Sequence, residues 1–201
     1  MRLLNLVKSE AVRRHLLDPV AEIDAATAFA LVRDMPYRRA SDRRPETTVA
    51  EWCGTCSGKH YLLQALFGEL DLPSQVMACT TVYPIAPDDV PVSQRSLYEA
   101  ANRRFVDVHN YLLVELPNGG QMIVDATWPL SARKAGLTVN ETFVLGQDHH
   151  LAAEPLESWA IPAGSDPQEF KAELLRTHFT PDELKFREEV IQILGDMTGA
   201  N

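Results

Sequence analysis

The sequence predicts an α+β fold in which helices come first, antiparallel strands follow and helices return at the end. Three observations carry this. The pattern HYLLQALFGEL from Lys59 onward has the periodicity of an amphipathic helix and stops before Asp71-Leu72-Pro73. FVDVHNYLLVEL and QMIVDATW both read as strands, and the PNGG between them makes a β-hairpin or at least two neighbouring antiparallel strands. Near the C-terminus, Asp166-Pro167-Gln168-Glu169 and Thr180-Pro181-Asp182-Glu183 each combine an N-cap residue, a proline at the first helical position and an acid at the third.

The remaining elements follow in chain order. Asp18-Pro19 reads as an N-cap with proline behind it, and Val20, Ile23, Ala26, Ala30 and Leu31 then recur at helical spacing, so a helix is expected from there to about Met35-Pro36. YRRASDRRPETT is polar and basic and reads as a loop whose four arginines form either a solvated face or a clamp for an anionic group. QVMACTTVY has the composition of a buried strand and PIAPDDVP that of a loop. No solenoid repeat, low-complexity run or long linker divides the chain. One domain over residues 1–201 is expected: a helical region (1–35), a core (36–130) and a C-terminal extension with helices (131–201).

Composition narrows the function classes. With 201 residues, 45% of them hydrophobic and 23% charged, the chain can bury one large core, roughly 70% of its unfolded surface. Its 19 Lys and Arg against 28 Asp and Glu give a net charge of −9, which disfavours a nucleic-acid partner because phosphate binding needs clustered cations. Residues 3–7 are mostly apolar but are interrupted by Lys8 and Glu10, too short for a secretory or membrane-spanning segment, so no membrane partner and a cytoplasmic location are expected. Three cysteines cannot form a disulfide framework in such a chain and point to metal, redox or nucleophilic chemistry.

Trp52-Cys53-Gly54-Thr55-Cys56 leads directly into the predicted helix, placing Cys56 at a helix N-terminus, where unpaired N–H groups and the helix dipole favour a thiolate. A redox reading takes Cys53 as attacking thiol and Cys56 as its resolving partner, but lacks the buried strand upstream that such sites use. A zinc reading takes Cys53, Cys56 and His60, but lacks a second close Cys or His pair, and His149-His150 falls in a polar loop, where two solvated imidazoles are expected. No metal and no cofactor are therefore expected. The third reading joins Cys56 to His109 and Asp125, both on predicted strands: imidazole takes the thiol proton and the carboxylate fixes the imidazole tautomer.

At these residues the chain resembles a known family. GTCSGKHYLLQALFGEL is similar to the cysteine-bearing helix of the transglutaminase-like superfamily of papain-type folds, and FVDVHNYLLVELPNGGQMIVDATWP to its histidine and aspartate strands. The resemblance spans about residues 36–130 and implies a papain/transglutaminase-like fold, with the catalytic helix packed on an antiparallel β-sheet and helices flanking it. It also implies Cys56 as nucleophile, His109 as base and Asp125 as orienting acid. Tyr111 stands where many members carry tryptophan, and Cys53 is not a family requirement, which leaves the substrate open.

The expected function is cysteine-dependent acyl chemistry on a carboxamide or peptide bond, hydrolysis or transamidation, through a thioester on Cys56. A peptide, a protein or a small amide is the expected substrate. The alternatives are a catalytically silent binding or scaffold module and a thiol-disulfide redox protein using Cys53 and Cys56. The Trp52 indole N–H is a candidate oxyanion donor, and Trp128 a candidate shield of the His-Asp pair from water. Register adds a geometric condition. A two-residue Asn118-Gly119 turn would send Asp125 opposite Leu112, on the wrong face. A five-residue loop over 115–119 pairs Val114 with Gly120 and sets His109 directly opposite Asp125.

Overall fold

β-Branched and apolar residues fill Ser74–Pro84 (β1) and Arg104–Glu115 (β2), and the two strands pair antiparallel along the whole of β1, from Ser74 with Val114 to Pro84 with Arg104. Gln121–Val124 (β3) pairs with the end of β2, and Glu157–Ala160 (β4) with the middle of β1. The result is a four-stranded sheet in the order β3-β2-β1-β4, antiparallel throughout. The architecture is α+β, as the sequence predicts, and the computed structural model describes residues 2–162 and 164–198.

Alternation along β1 and β2 gives the sheet two different faces. Val76, Ala78, Val108, Leu112 and Val114 belong to the main core with Leu62, Leu63, Leu66 and Phe67 of the helix Cys56–Glu69 (α4). Helices Leu3–Arg13 (α1) and Ala25–Arg33 (α2) add Val7, Phe29 and Val32 to that core, and Pro45–Glu51 (α3) adds Val49. Burying each such side chain is worth about 1.5–3 kcal/mol. Phe105 alternates with this set and joins a second cluster with Tyr98 of Arg95–Ala100 (α5) and with Phe186 and Ile191 of Pro181–Thr198 (α7). Pro167–His178 (α6) also contacts β1 and β2.

Helix α4 is more deeply buried than an amphipathic helix. Ser57, Lys59 and His60 are enclosed together with its leucines, so its polar side is an internal hydrogen-bonding surface. The fully buried Lys59 ammonium donates to the carbonyls of Arg33, 2.8 Å away, and Thr127, 2.9 Å away. Gly58 permits close approach of α3, since a Cβ there would lie 3.1 Å from Thr48 Oγ1.

Three local expectations are corrected. The first helix of the 18–35 stretch starts later, because Asp18 accepts from the Val20 N–H at 2.9 Å in a tight turn and Asp24 is the residue that caps α2, accepting from Thr27 N–H at 2.7 Å. The end of the basic loop is helical: Pro45 occupies the first position of α3. The hairpin register is shifted by two residues, pairing Val114 with Met122 where Gly120 was expected. Leu116 N–H bonds Gly120 O at 2.8 Å and Gly119 N–H bonds Leu116 O at 2.9 Å, with Gly119 at φ 80°, so a tight turn with a left-handed glycine closes the hairpin in place of a loose loop. A shift of two preserves the face of every side chain.

Both C-terminal helices begin where their caps predict. Asp166 accepts from the Gln168 and Glu169 N–H groups, and at α7 Thr180 and Glu183 bond reciprocally, Thr180 N–H to Glu183 Oε2 at 2.9 Å and Glu183 N–H to Thr180 Oγ1 at 3.3 Å. Glu183 also receives Arg104 Nε at 2.7 Å, which ties the start of α7 to the start of β2. Among the described residues no helix is long and apolar enough to cross a membrane. Glu183→Ala removes the cap and the Arg104 tie together, and is expected to lower unfolding stability by about 2 kcal/mol in urea titration, against about 1 kcal/mol for Thr180→Ala.

Candidate active site

Because β3 ends at Val124, residues 104–111 of β2 have no partner on that side of the sheet. The first turn of α4, the segment after β3 and the C-terminal helices gather around this stretch. Thr55 is extended and Cys56 opens α4, leaving its N–H among the donors that have no partner within the helix. His109 lies on β2, and Asp125 is the first residue beyond β3. The register does not place Asp125 opposite His109, but the chain leaves the ladder there and the carboxylate reaches the ring: His109 Nε2 and Asp125 Oδ2 are 2.8 Å apart.

Hydrogen bonding fixes the protonation of this cluster. Asp125 also accepts from Ala152 N–H at 2.8 Å and Thr127 N–H at 2.9 Å. Burial opposes its ionisation, but His109, His60 and these donors outweigh that and hold the pKa well below the usual carboxylate range. An ionised carboxylate only accepts, so His109 Nε2 carries a proton and donates, leaving Nδ1 as the nitrogen available to the thiol. Burial lowers the His109 pKa, yet Asp125 and the Cys56 thiol together raise it to about 10.

Cys56, 2% exposed, is covered by a residue from the far end of the chain. Lys171 of α6 places Nζ 3.6 Å from Cys56 Sγ, donates to Ser57 Oγ at 3.0 Å and lies 3.9 Å from Asp107 Oδ1. Arg187 of α7 closes on Asp107 with Nη2 at 2.6 Å and Nε at 2.7 Å, and the Ser57 hydroxyl donates to Asn110 Oδ1 at 2.8 Å. Burial alone would raise the Cys56 pKa. The Lys171 ammonium and the His109 imidazolium reverse that and bring it to about 6, which favours a thiolate beside an imidazolium.

Two further histidines build the frame. His60 Nδ1 donates to its own helix at Cys56 O, 2.7 Å away, and Nε2 accepts from Ala126 N–H at 2.9 Å. Both nitrogens are committed and the ring is neutral; burial lowers its pKa to about 4. It is therefore unavailable as the third ligand of the zinc set Cys53, Cys56 and His60. His149 is buried edge-on against Phe29 and accepts from Asp125 N–H at 3.2 Å, which corrects the expectation of two solvated imidazoles; only His150 is exposed. Among the described residues no group of three or more His, Cys, Asp or Glu is arranged to hold a metal ion.

The structure brings Cys56, His109 and Asp125 together and separates the two tryptophans from each other's company. Trp52 lies in the helical core with the Arg14 guanidinium 5.3 Å above its ring. Trp128 is half-buried, 4.4 Å from the Tyr37 ring, and lines a cavity of about 230 Å³ beside His109. A wider groove of about 680 Å³ between residues 36–39 and α7 contains none of the three. Cys53 and Cys79 are buried free thiols, Cys79 directly across the ladder from His109, and burial raises its pKa to about 12. Sequence reading missed Lys171, Arg187 and Asp107, and took His60 only as a candidate zinc ligand. Lys171 and Arg187 look like ordinary members of polar helix faces, and only His60, four residues after Cys56, carries a signal in its spacing.

Comparison with protein-family models, curated proteins and solved structures finds no match to this chain. What can be said of its chemistry therefore comes from the site itself. Because the His60 pKa is depressed from 6.5 to about 4, its contribution to stability is full above 6.5 and is lost as the pH falls toward 4, by about 3 kcal/mol at most. His60→Leu should remove that acidic-side component from a pH series of urea unfolding curves. It should also leave the Ala126 N–H unpaired and remove the side-chain bond to Cys56 O, with a loss of about 1–3 kcal/mol at neutral pH.

Proposed function

We propose that the chain performs cysteine-dependent acyl transfer on a carboxamide or peptide bond, with the papain/transglutaminase-like arrangement of nucleophile helix and antiparallel sheet. The observation that carries the reading is the buried series Cys56, His109 and Asp125, in which one ring nitrogen is held by the carboxylate and the other is left to the thiol. The Cys56 thiolate attacks the carbonyl carbon, and the charge moves to the carbonyl oxygen. As the tetrahedral species collapses, the C–N bond breaks and His109 Nδ1–H protonates the leaving amine, giving a thioester. Water or a second amine then attacks the thioester, His109 Nδ1 takes its proton, and the thiolate departs.

The oxyanion donors in this reading are the Cys56 N–H at the start of α4 and the Lys171 ammonium beside Sγ. Trp52, packed in the core under Arg14, is not assigned that role. Trp128 keeps its proposed place as a cover on the His109 side. The reading of a silent binding module draws on one observation, the almost complete enclosure of the Cys56 thiol beneath Lys171.

Thiol reactivity separates the two. Alkylation by limiting iodoacetamide, mapped by mass spectrometry, should modify Cys56 before Cys53 or Cys79, with a rate that rises through an inflection near pH 6. Lys171→Met should move that inflection upward, toward the ordinary thiol value of about 8.5, and His109→Ala should do the same. A Cys56 that reacts more slowly than Cys53, or shows no inflection below pH 8, contradicts the acyl-transfer reading. In an amide and peptide library assay, Cys56→Ala should abolish turnover and Asp125→Asn should lower it by roughly 10² to 10⁴-fold with the fold intact.

A further inference from the structure

The cavity of about 230 Å³ beside His109 has a buried floor of Thr81, Phe105, Asp107, His109 and Thr127 and a half-buried rim that includes Trp128, Leu137, Val190 and Leu194, so it opens toward solvent. Its walls are largely aromatic and aliphatic. An apolar cavity of ~150 Å³ accommodates benzene, so this one has room for a phenyl ring with a short polar attachment. Thr81 Oγ1 and Thr127 Oγ1 expose almost no surface and lie beside the Tyr83 phenol and the Asp125 carboxylate, so these hydroxyls are turned away from the opening and the cavity presents a mainly apolar surface.

Position decides which part of a substrate fits. His109 forms part of the cavity wall and Cys56 does not. In an acyl transfer the acyl half becomes attached to the cysteine, while the amine half is the part that exchanges a proton with the imidazole. We infer that this cavity is the subsite for the amine half of the substrate, and that it takes an amide or amine whose nitrogen carries one aromatic ring through a short link. The inference rests on the acyl-transfer reading for its direction. His109 meets the nitrogen at the ring's attachment, and Phe105, Trp128 and Leu194 hold the ring itself.

Binding of two isomeric amides tests this without turnover. N-Benzylacetamide carries its ring on the nitrogen side and 3-phenylpropanamide on the acyl side, while N-methylacetamide has no ring. Calorimetric titration of the full chain, as wild type and as Cys56→Ala, should show N-benzylacetamide binding at least about tenfold more tightly than either of the others, a difference of about 1.4 kcal/mol. Leu194→Phe and Leu137→Trp, which fill the rim from two different parts of the chain, should each remove that preference. Equal or tighter binding of 3-phenylpropanamide overturns the assignment, as does absence of binding, or a preference that survives filling in a variant with wild-type circular dichroism and Tm. The outcome is separable from the chemistry: an inert Cys56 in the alkylation assay defeats acyl transfer, whereas isomer selectivity in Cys56→Ala reports on the cavity alone.

Discussion

One uncharged ring holds this site together. His60 joins the carbonyl of Cys56 to the amide of Ala126, and so couples the first turn of α4 to the residue after Asp125. The bond pattern needs a donor at one end of the ring and an acceptor at the other, which only the neutral imidazole provides. Enclosure enforces that state, because a second proton would sit fully buried beside Lys59 and His109. Asn140 and His149 continue the clamp, holding the Asp125 carbonyl and amide from the loop beyond. The orientation of the Asp125 carboxylate is thus set by its backbone before it meets His109.

Around that frame the charges nearest the thiol answer one another. Asp107 answers Arg187 and Lys171, Asp125 answers His109, and the thiolate of Cys56 answers Lys171 and His109. Three anions and three cations occupy a volume with almost no solvent, and removing any one exposes an unpaired buried charge. In the proposed acyl transfer, acylation of the sulfur would remove its negative charge. Lys171 is then left with a surplus that an oxyanion or a hydrogen-bonding substrate can take up, so the same ammonium that lowers the thiol pKa favours the next anionic species at that point.

The parts of this arrangement visible in the sequence are those written in local pattern. Strand alternation around His109, the Asp-Pro and Thr-Pro caps of α6 and α7, and the helix behind Cys56 all follow from rules acting over a few residues. The hairpin was misjudged by two residues because Gly119 permits a left-handed turn that a count of loop residues does not foresee. The helix expected behind Asp18-Pro19 begins after Asp24 because tertiary packing decides its start: Val20 projects into solvent, while Phe29 and Val32 of α2 enter the core. Lys171 and Arg187 were illegible for another reason. A lysine within FKAEL carries no mark of burial; the anions that justify it lie on strands and helices far away in the chain.

That distance has a kinetic consequence. Cys56 and Lys171 are 115 positions apart, and contacts of such separation form late, after the local helices and the β1–β2 pairing have reduced the entropy of closing the loop. A partly folded chain in which α6 has not docked holds its thiol without the ammonium, at the higher pKa that burial or water would give it. Acidification of the sulfur is therefore a late event in maturation. The acidic form of this thiol is thus a property of the chain with its C-terminal helices docked, since the ammonium that favours it comes from α6.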